Sequence, residues 1–159
     1  MGLDMYLYRK EYVSTFAWNQ DERAVKEANL YSVIANHFNV DPNTEGGIGV
    51  GIDICVAYWR KANAIHGWFV NLDGGKDECQ PIYVSLDKLK ELRELANSVV
   101  LTPAMAGDIL PPQEGFFFGT SDIDEWYIND MKNTVEMLDK IISSVSPDEY
   151  PTFFYQASW

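Results

Sequence analysis

The segment Tyr58-Trp59-Arg60-Lys61-Ala62-Asn63-Ala64-Ile65-His66 gathers the residue types best suited to binding chemistry. Arg60 can grip an anion as a two-pronged donor, and Lys61 adds a point charge beside it. Asn63 offers two amide donors and an acceptor, His66 carries two ring nitrogens that can donate or accept, and Trp59 supplies a ring face. Helical spacing from Tyr58 to Asn71 places Tyr58, Ala62, Ile65 and Phe69 on one buried stripe, with Trp59, Asn63, His66 and Val70 along the adjoining flank. Arg60 and Lys61 then occupy the first turn, where a helix N-terminus itself favours negative charge. The set predicts a site for a phosphate and a ring together. The competing use of the same residues is structural, with Trp59 and His66 packed on a sheet and Arg60 and Lys61 paired with carboxylates.

Other candidates carry less. Gly46-Gly47-Ile48-Gly49-Val50-Gly51 matches neither GxGxxG nor GxxxxGK[ST] and leads into a strand, so it reads as a turn and not as a phosphate cradle. Asp122, Asp124 and Glu125 fall in a first helical turn, where negative charge complements the helix dipole. Phe116, Phe117 and Phe118 alternate in direction on a strand; Phe117, facing opposite to its neighbours, joins Tyr127 as a candidate ring contact. His37 ends a helix and is suited to its last carbonyls or to solvent. Cys55 and Cys79 lie 24 residues apart with no CxxC partner and no zinc-ligand spacing, which predicts reduced thiols in a cytoplasmic protein. No metal set, cofactor motif or catalytic group follows from these spacings, and a binding protein is expected in preference to an enzyme.

The elements that must position these residues read as follows. Leu3, Met5 and Leu7 alternate with Asp4, Tyr6 and Tyr8 as in a half-buried strand that bends and continues from Tyr12 toward Trp18. Val25, Ala28, Leu30, Tyr31, Ile34 and Phe38 form a helical stripe over Asp21 to His37, ended by turn residues at 41–47. A strand is expected from Ile48 to Ala57, then the helix from Tyr58, a turn at 73–77 and a short strand at 82–84. Ser85 can cap a helix to about Val100, a proline-rich loop or lid spans 102–113, and 115–119 reads as a central strand. Ser121 and Asp124 resemble a capping box for a helix from Ile123 to about Ser144, with Tyr127, Met131, Val135, Leu138 and Ile141 inward. Phe153 to Tyr155 suggest a last, edge strand. The mixture predicts an α+β fold, a mainly antiparallel sheet packed against three or four helices, in a single domain over 1–159.

Composition sets the outer limits. The 159 residues hold 12 Lys plus Arg against 24 Asp plus Glu, a net charge of −12, and 14% of them are aromatic. That charge repels a nucleic-acid backbone or an anionic membrane. No uninterrupted apolar run approaches a membrane span, and no signal-peptide pattern opens the chain. Residues 108–159 hold ten acids and two bases.

Met1-Gly2-Leu3-Asp4-Met5-Tyr6-Leu7, the stretch from Tyr58 to Val70, Asp77-Glu78-Cys79 before Tyr83-Val84-Ser85, and Leu110-Pro111 before Gly115-Phe116-Phe117-Phe118-Gly119 together resemble a family of short bacterial and bacteriophage proteins that begin MGLDMYL. The resemblance brings no activity with it. It implies that the polar residues of the YWRKANAIH segment belong to a recurring signature, and its phage setting implies interference with host biology.

The expected function is therefore non-enzymatic binding of a small anionic ligand, a nucleotide or nucleotide-derived signal, by Trp59, Arg60, Lys61, Asn63 and His66 with Phe117 and Tyr127 as ring contacts. One alternative is an acidic protein that blocks a host nucleic-acid-binding enzyme, and another is a hydrolase using His66 as base with Asp77 or Cys79. A homodimer or a host protein partner is compatible with the aromatic content.

Overall fold

The alternation of Leu3, Met5 and Leu7 with polar or tyrosine neighbours leads into strand β1 (Asp4–Ser14), and all three of these apolar side chains are fully buried. The computed structural model describes residues 2–14, 22–42, 49–115 and 118–159. Among these residues β1, β2 (Gly49–Arg60), β3 (Ile82–Val84) and β4 (Thr152–Ser158) form one antiparallel sheet in the order β2-β1-β4-β3. Five helices accompany it: α1 (Glu22–His37), α2 (Asn63–Leu72), α3 (Leu86–Leu101), the single turn α4 (Ala106–Ile109) and α5 (Glu125–Ser144). The fold is α+β, and no helix among the described residues is long and apolar enough to cross a membrane.

The chain divides into two compact units, Met1–Arg9 with Cys55–Trp159, and Lys10–Ile54. Both boundaries fall inside strands, where no shift in composition marks them.

In the larger unit one face of the sheet is apolar by simple alternation. Ala57 and Trp59 of β2, Ile82 and Val84 of β3, and Phe153, Tyr155 and Ala157 of β4 join the β1 residues in a single core. Leu89, Leu92, Ala96 and Val99 of α3 meet the same core, as do Met131, Leu138 and Ile141 of α5. Ser85 caps α3 by accepting from the Lys88 N–H at 3.3 Å, as its position predicts. Arg93 of α3 reaches Asp139 of α5 with two bonds of 2.8 and 3.2 Å. The opposite face of the sheet carries Tyr6, Tyr8 and Tyr58, with ring centroids 5.3–6.0 Å apart in sequence of contact, and Tyr58 donates its hydroxyl to Asp4.

The smaller unit buries Val13, Tyr31 and Ala35 with Val50 and Ile52 against them. Of the expected α1 stripe only Tyr31 is buried; Val25, Leu30 and Phe38 are exposed, because the few described strand side chains in this unit cover a single narrow line of the helix.

Four further expectations change. Tyr58, Trp59 and Arg60 stay in β2, where exposed Tyr58 and Arg60 flank buried Trp59, and the helix opens five residues later at Asn63. The run at 115–119 joins no strand through its described members: Gly115, Phe118 and Gly119 lie outside the sheet, and the Phe118 N–H closes a turn on the Gly115 carbonyl at 3.1 Å. The final strand is internal, since β4 pairs with β3 in the register Ile82↔Tyr155 and Val84↔Phe153 and has β1 on its other side. Lastly, Asp124 itself caps α5, accepting from the Tyr127 N–H at 3.0 Å, so that helix begins at Glu125. The continuation toward Trp18, residues 43–48 of the glycine-rich stretch, and Phe116 and Phe117 lie outside the described residues.

Phe69 stacks on Tyr155 at 4.0 Å with an interplanar angle of 8°, in the centre of the core. Phe69→Ala is expected to cost about 3–5 kcal/mol and Ser85→Ala about 1 kcal/mol in denaturant unfolding. A loss at Phe69 no larger than at Ser85 would refute its central place.

Candidate functional site

The strand-to-helix junction builds the site. The Lys61 N–H still donates to the Leu3 carbonyl at 2.9 Å, continuing the β1–β2 pairing, but Lys61 itself stands at φ +60°. A left-handed non-glycine residue costs about 1–2 kcal/mol. The turn closes through the Asn63 N–H, which donates to the Lys61 carbonyl at 2.9 Å, and α2 departs from there. Nearly every residue of α2 is buried, including Asn63, Ile65, His66, Gly67 and Phe69, so it is a core helix without a wet face in its first two turns.

Asn63 is a clamp. Its amide donates to the Phe118 carbonyl at 3.3 Å and the Thr120 carbonyl at 2.8 Å, holding the loop that precedes α5 against the start of α2. Tyr127 is fixed by its hydroxyl, which donates to the Leu110 carbonyl at 2.6 Å, and burial pushes its pKa up to about 12. Trp59 is held from inside: its indole N–H donates to the Thr134 hydroxyl at 2.9 Å, which donates in turn to the Asp130 carbonyl at 2.7 Å.

Between the junction and α5 lies a cavity of about 360 Å³, lined by Arg60, Lys61, Asn63, Thr120, Asp122, Asp124, Trp126, Tyr127 and Asp130 among others. Its volume is at the lower end of the usual range for small-molecule sites. Among the described residues the one carboxylate in ion-pair reach of Arg60 is Asp4, at 4.0 Å, and the Arg60 side chain is 64% exposed. Trp126 is 77% exposed, so its ring is open to a ligand in the cavity it lines. It stands four residues before Asp130, so the ring and the carboxylate share one face of α5. The Asp130 carboxyl is raised to about 6, first by burial and then by the charge of Asp124.

His66 lies elsewhere. It is 0% exposed, with Nδ1 2.6 Å from the Tyr155 hydroxyl and Nε2 3.0 Å from Asp77, whose other oxygen accepts from the Trp159 indole at 3.3 Å. The neutral imidazole satisfies this chain when Tyr155 donates to Nδ1 and Nε2–H donates to Asp77. Burial, with the nearby Asp77 charge, raises the Tyr155 pKa and keeps that hydroxyl a donor. Phe118 lies edge-on against the imidazole at 4.9 Å.

Of the residues singled out in sequence, then, Arg60, Lys61, Asn63 and Tyr127 line one cavity, Trp59 and His66 are buried outside it, and Phe117 lies outside the described residues. Arg60 and Lys61 are at a strand end and not in a first helical turn. Asp77 does reach His66, while both cysteines are free thiols. Sequence reasoning missed Trp126, Asp130 and Thr120. Trp126 carried a signal, since it falls off the apolar stripe of its helix. No known protein family, curated protein or solved structure matches the chain.

Two outcomes are expected. Thr134→Val leaves the Trp59 indole N–H unpaired in the core and lowers stability by about 1–3 kcal/mol, a loss that Trp59→Phe in the same chain partly restores. No change in unfolding free energy would refute the bond. The Asp130 carboxyl ionises near 6 when folded and near the ordinary 3.8 when unfolded, so the folded state holds the extra proton between those values. Its contribution therefore falls as pH rises through that window. Allowing for partial exposure, Asp130→Asn should gain on the order of 1 kcal/mol at pH 7.5 and nothing at pH 4. Urea unfolding at both pH values checks it, and a parallel gain at both would contradict the shift.

Proposed function

We propose that the protein is a non-enzymatic binder of a small anionic ligand of the nucleotide class, held in the cavity that Arg60, Lys61 and Trp126 line. The observation that carries this reading is the pairing of two cations with an exposed indole in a chain of net charge −12. Most other basic side chains sit beside carboxylates: Lys76 on Glu78, Lys88 on Glu91, Lys90 on Asp87, Arg93 on Asp139. Lys61 has no such ion pair among the described residues, although Asp122, Asp124 and Asp130 line the same cavity. A phosphate would accept from Arg60 and Lys61, and a base would lie on Trp126.

The residues expected from sequence divide accordingly. Arg60 and Lys61 contact the ligand, Asn63 and Tyr127 shape the wall, and Trp59 and His66 support it from the core. In a phage setting such a protein would sequester a host nucleotide messenger.

Calorimetry against mono-, di- and cyclic nucleotides, with chromatography of the recovered ligand, tests this. Binding of at least one nucleotide is expected, with the ligand recovered unchanged and affinity about tenfold weaker in Arg60→Ala. Absence of binding across the panel, or an unaffected Arg60→Ala, would sink the reading, and new products would move it from binding to catalysis. Lys61 adds a separate expectation. Lys61→Gly relieves the left-handed residue and should unfold at higher denaturant than Lys61→Ala by about 1 kcal/mol, yet both should bind equally weakly. Equal stability of the two would contradict the conformation.

A further inference from the structure

The carboxylates of the cavity are not equivalent. Asp124 accepts from the Tyr127 N–H as the cap of α5, and Asp122 accepts from the Thr120 hydroxyl at 2.8 Å. The Asp130 carboxylate has no hydrogen bond or ion pair among the described residues; the Thr134 bond goes to its backbone carbonyl. It is half-buried, acceptor-only when ionised, and on the same helix face as the Trp126 ring. A ligand that lies on Trp126 with its phosphate toward Lys61 therefore meets a lone carboxylate along one edge of its ring.

Only one common base suits that edge. Guanine presents N1–H and N2–H side by side, and a carboxylate accepts both at once. Adenine and cytosine each place a ring acceptor beside the amino donor, so an ionised carboxylate meets a lone pair. Uracil offers one N–H flanked by two carbonyls. We infer that the cavity is selective for guanine nucleotides, with Asp130 as the residue that reads the base; this rests on the nucleotide reading of the site.

The groups facing Asp130 set its pH response. Asp124 from the α5 cap opposes its ionisation, and Asp122 from the preceding loop with Arg60 and Lys61 from the end of β2 line the same cavity. Ionisation near pH 6 turns it from an acid that can donate to adenine N1 while accepting from the amino group into a carboxylate that accepts twice from guanine. Guanine affinity should rise with pH through that value, and adenine affinity should fall.

The test is calorimetric titration of the full chain with GMP, IMP, AMP and CMP at pH 5 and pH 7.5, with Asp130→Asn alongside. At pH 7.5 GMP is expected to bind about tenfold or more tighter than AMP and CMP, with IMP, which lacks the N2 amino group, between them. Asp130→Asn should weaken GMP about tenfold and leave AMP unchanged or tighter. Circular dichroism confirms that the variant is folded. Nucleotides that bind with no base preference, or GMP binding that survives Asp130→Asn, would overturn the guanine inference and leave the anion site standing. Failure of every nucleotide to bind would overturn the site reading itself.

Discussion

The left-handed turn at Lys61 is the constraint on which the rest of the site depends. In an uninterrupted strand, Arg60 and Lys61 would point to opposite faces of the sheet, one outward and one into the core. With Lys61 at φ +60°, both side chains are exposed and both reach the same cavity. The same turn delivers Asn63 to the base of α2 already buried, where its amide is committed to two carbonyls of the loop before α5. Gly119, at φ +91° in that loop, lies close enough to the Lys61 stem that a methyl group there would touch it. Strand end, helix start and loop are thus one interlocked unit, and a strained residue is the joint.

Two ionisable groups illustrate opposite uses of burial. His66 is fully enclosed, yet each ring nitrogen has a partner, and no buried side-chain polar atom among the described residues is left unsatisfied. Such a network fixes the relation of α2 to β4 and to the turn bearing Asp77, and it offers no face to a ligand. Asp130 is only half-buried, but burial and the Asp124 charge set its ionisation against the folded state, and no hydrogen bond or ion pair among the described residues offsets that. A group that costs stability and repays nothing within the chain is the kind that a bound ligand can use. By that criterion Asp130 and Lys61 are the candidates for chemistry, and the histidine that stands out in the sequence belongs to the architecture.

How much of this was legible beforehand follows from which period each segment obeys. α3 and the short strand at 82–84 each show one unmixed pattern and formed where that pattern placed them, β1 formed over the alternating Met5 and Leu7, and α5 differs only in starting two residues later than its pattern suggests. From 56 to 70 two patterns overlap. Val56, Ala57, Tyr58, Trp59 and Arg60 alternate as a strand, while Tyr58, Ala62, Ile65 and Phe69 also fit a helix; hydrogen bonding to β1 decides in favour of the strand through Arg60. That single decision moved Trp59 and His66 off a common helical flank. The cavity was half legible: Arg60, Lys61 and Asn63 stood out by residue type, but Asp130 did not, because its significance lies in lacking a partner, and sequence spacing reports only partners close along the chain. The two-unit division was hidden for a related reason, since it cuts strands that read as continuous.

The net charge of −12 acquires a more specific meaning from this geometry. At 0.1 M salt the field of an exposed charge fades within about 10 Å. A long polyanion laid on the surface spans many such lengths and meets the excess of carboxylates wherever it extends beyond Arg60 and Lys61. A mononucleotide spans little more than one, so it meets the local pair of cations and the facing carboxylates, and hardly the remainder. On the proposed reading the acidic surface would therefore filter anions by size, disfavouring a long polyanion more than a small phosphate-bearing ligand. Within the cavity the same arithmetic would repeat at shorter range, because an ionised Asp130 disfavours a purely anionic ligand and favours one that brings N–H donors to offset the carboxylate.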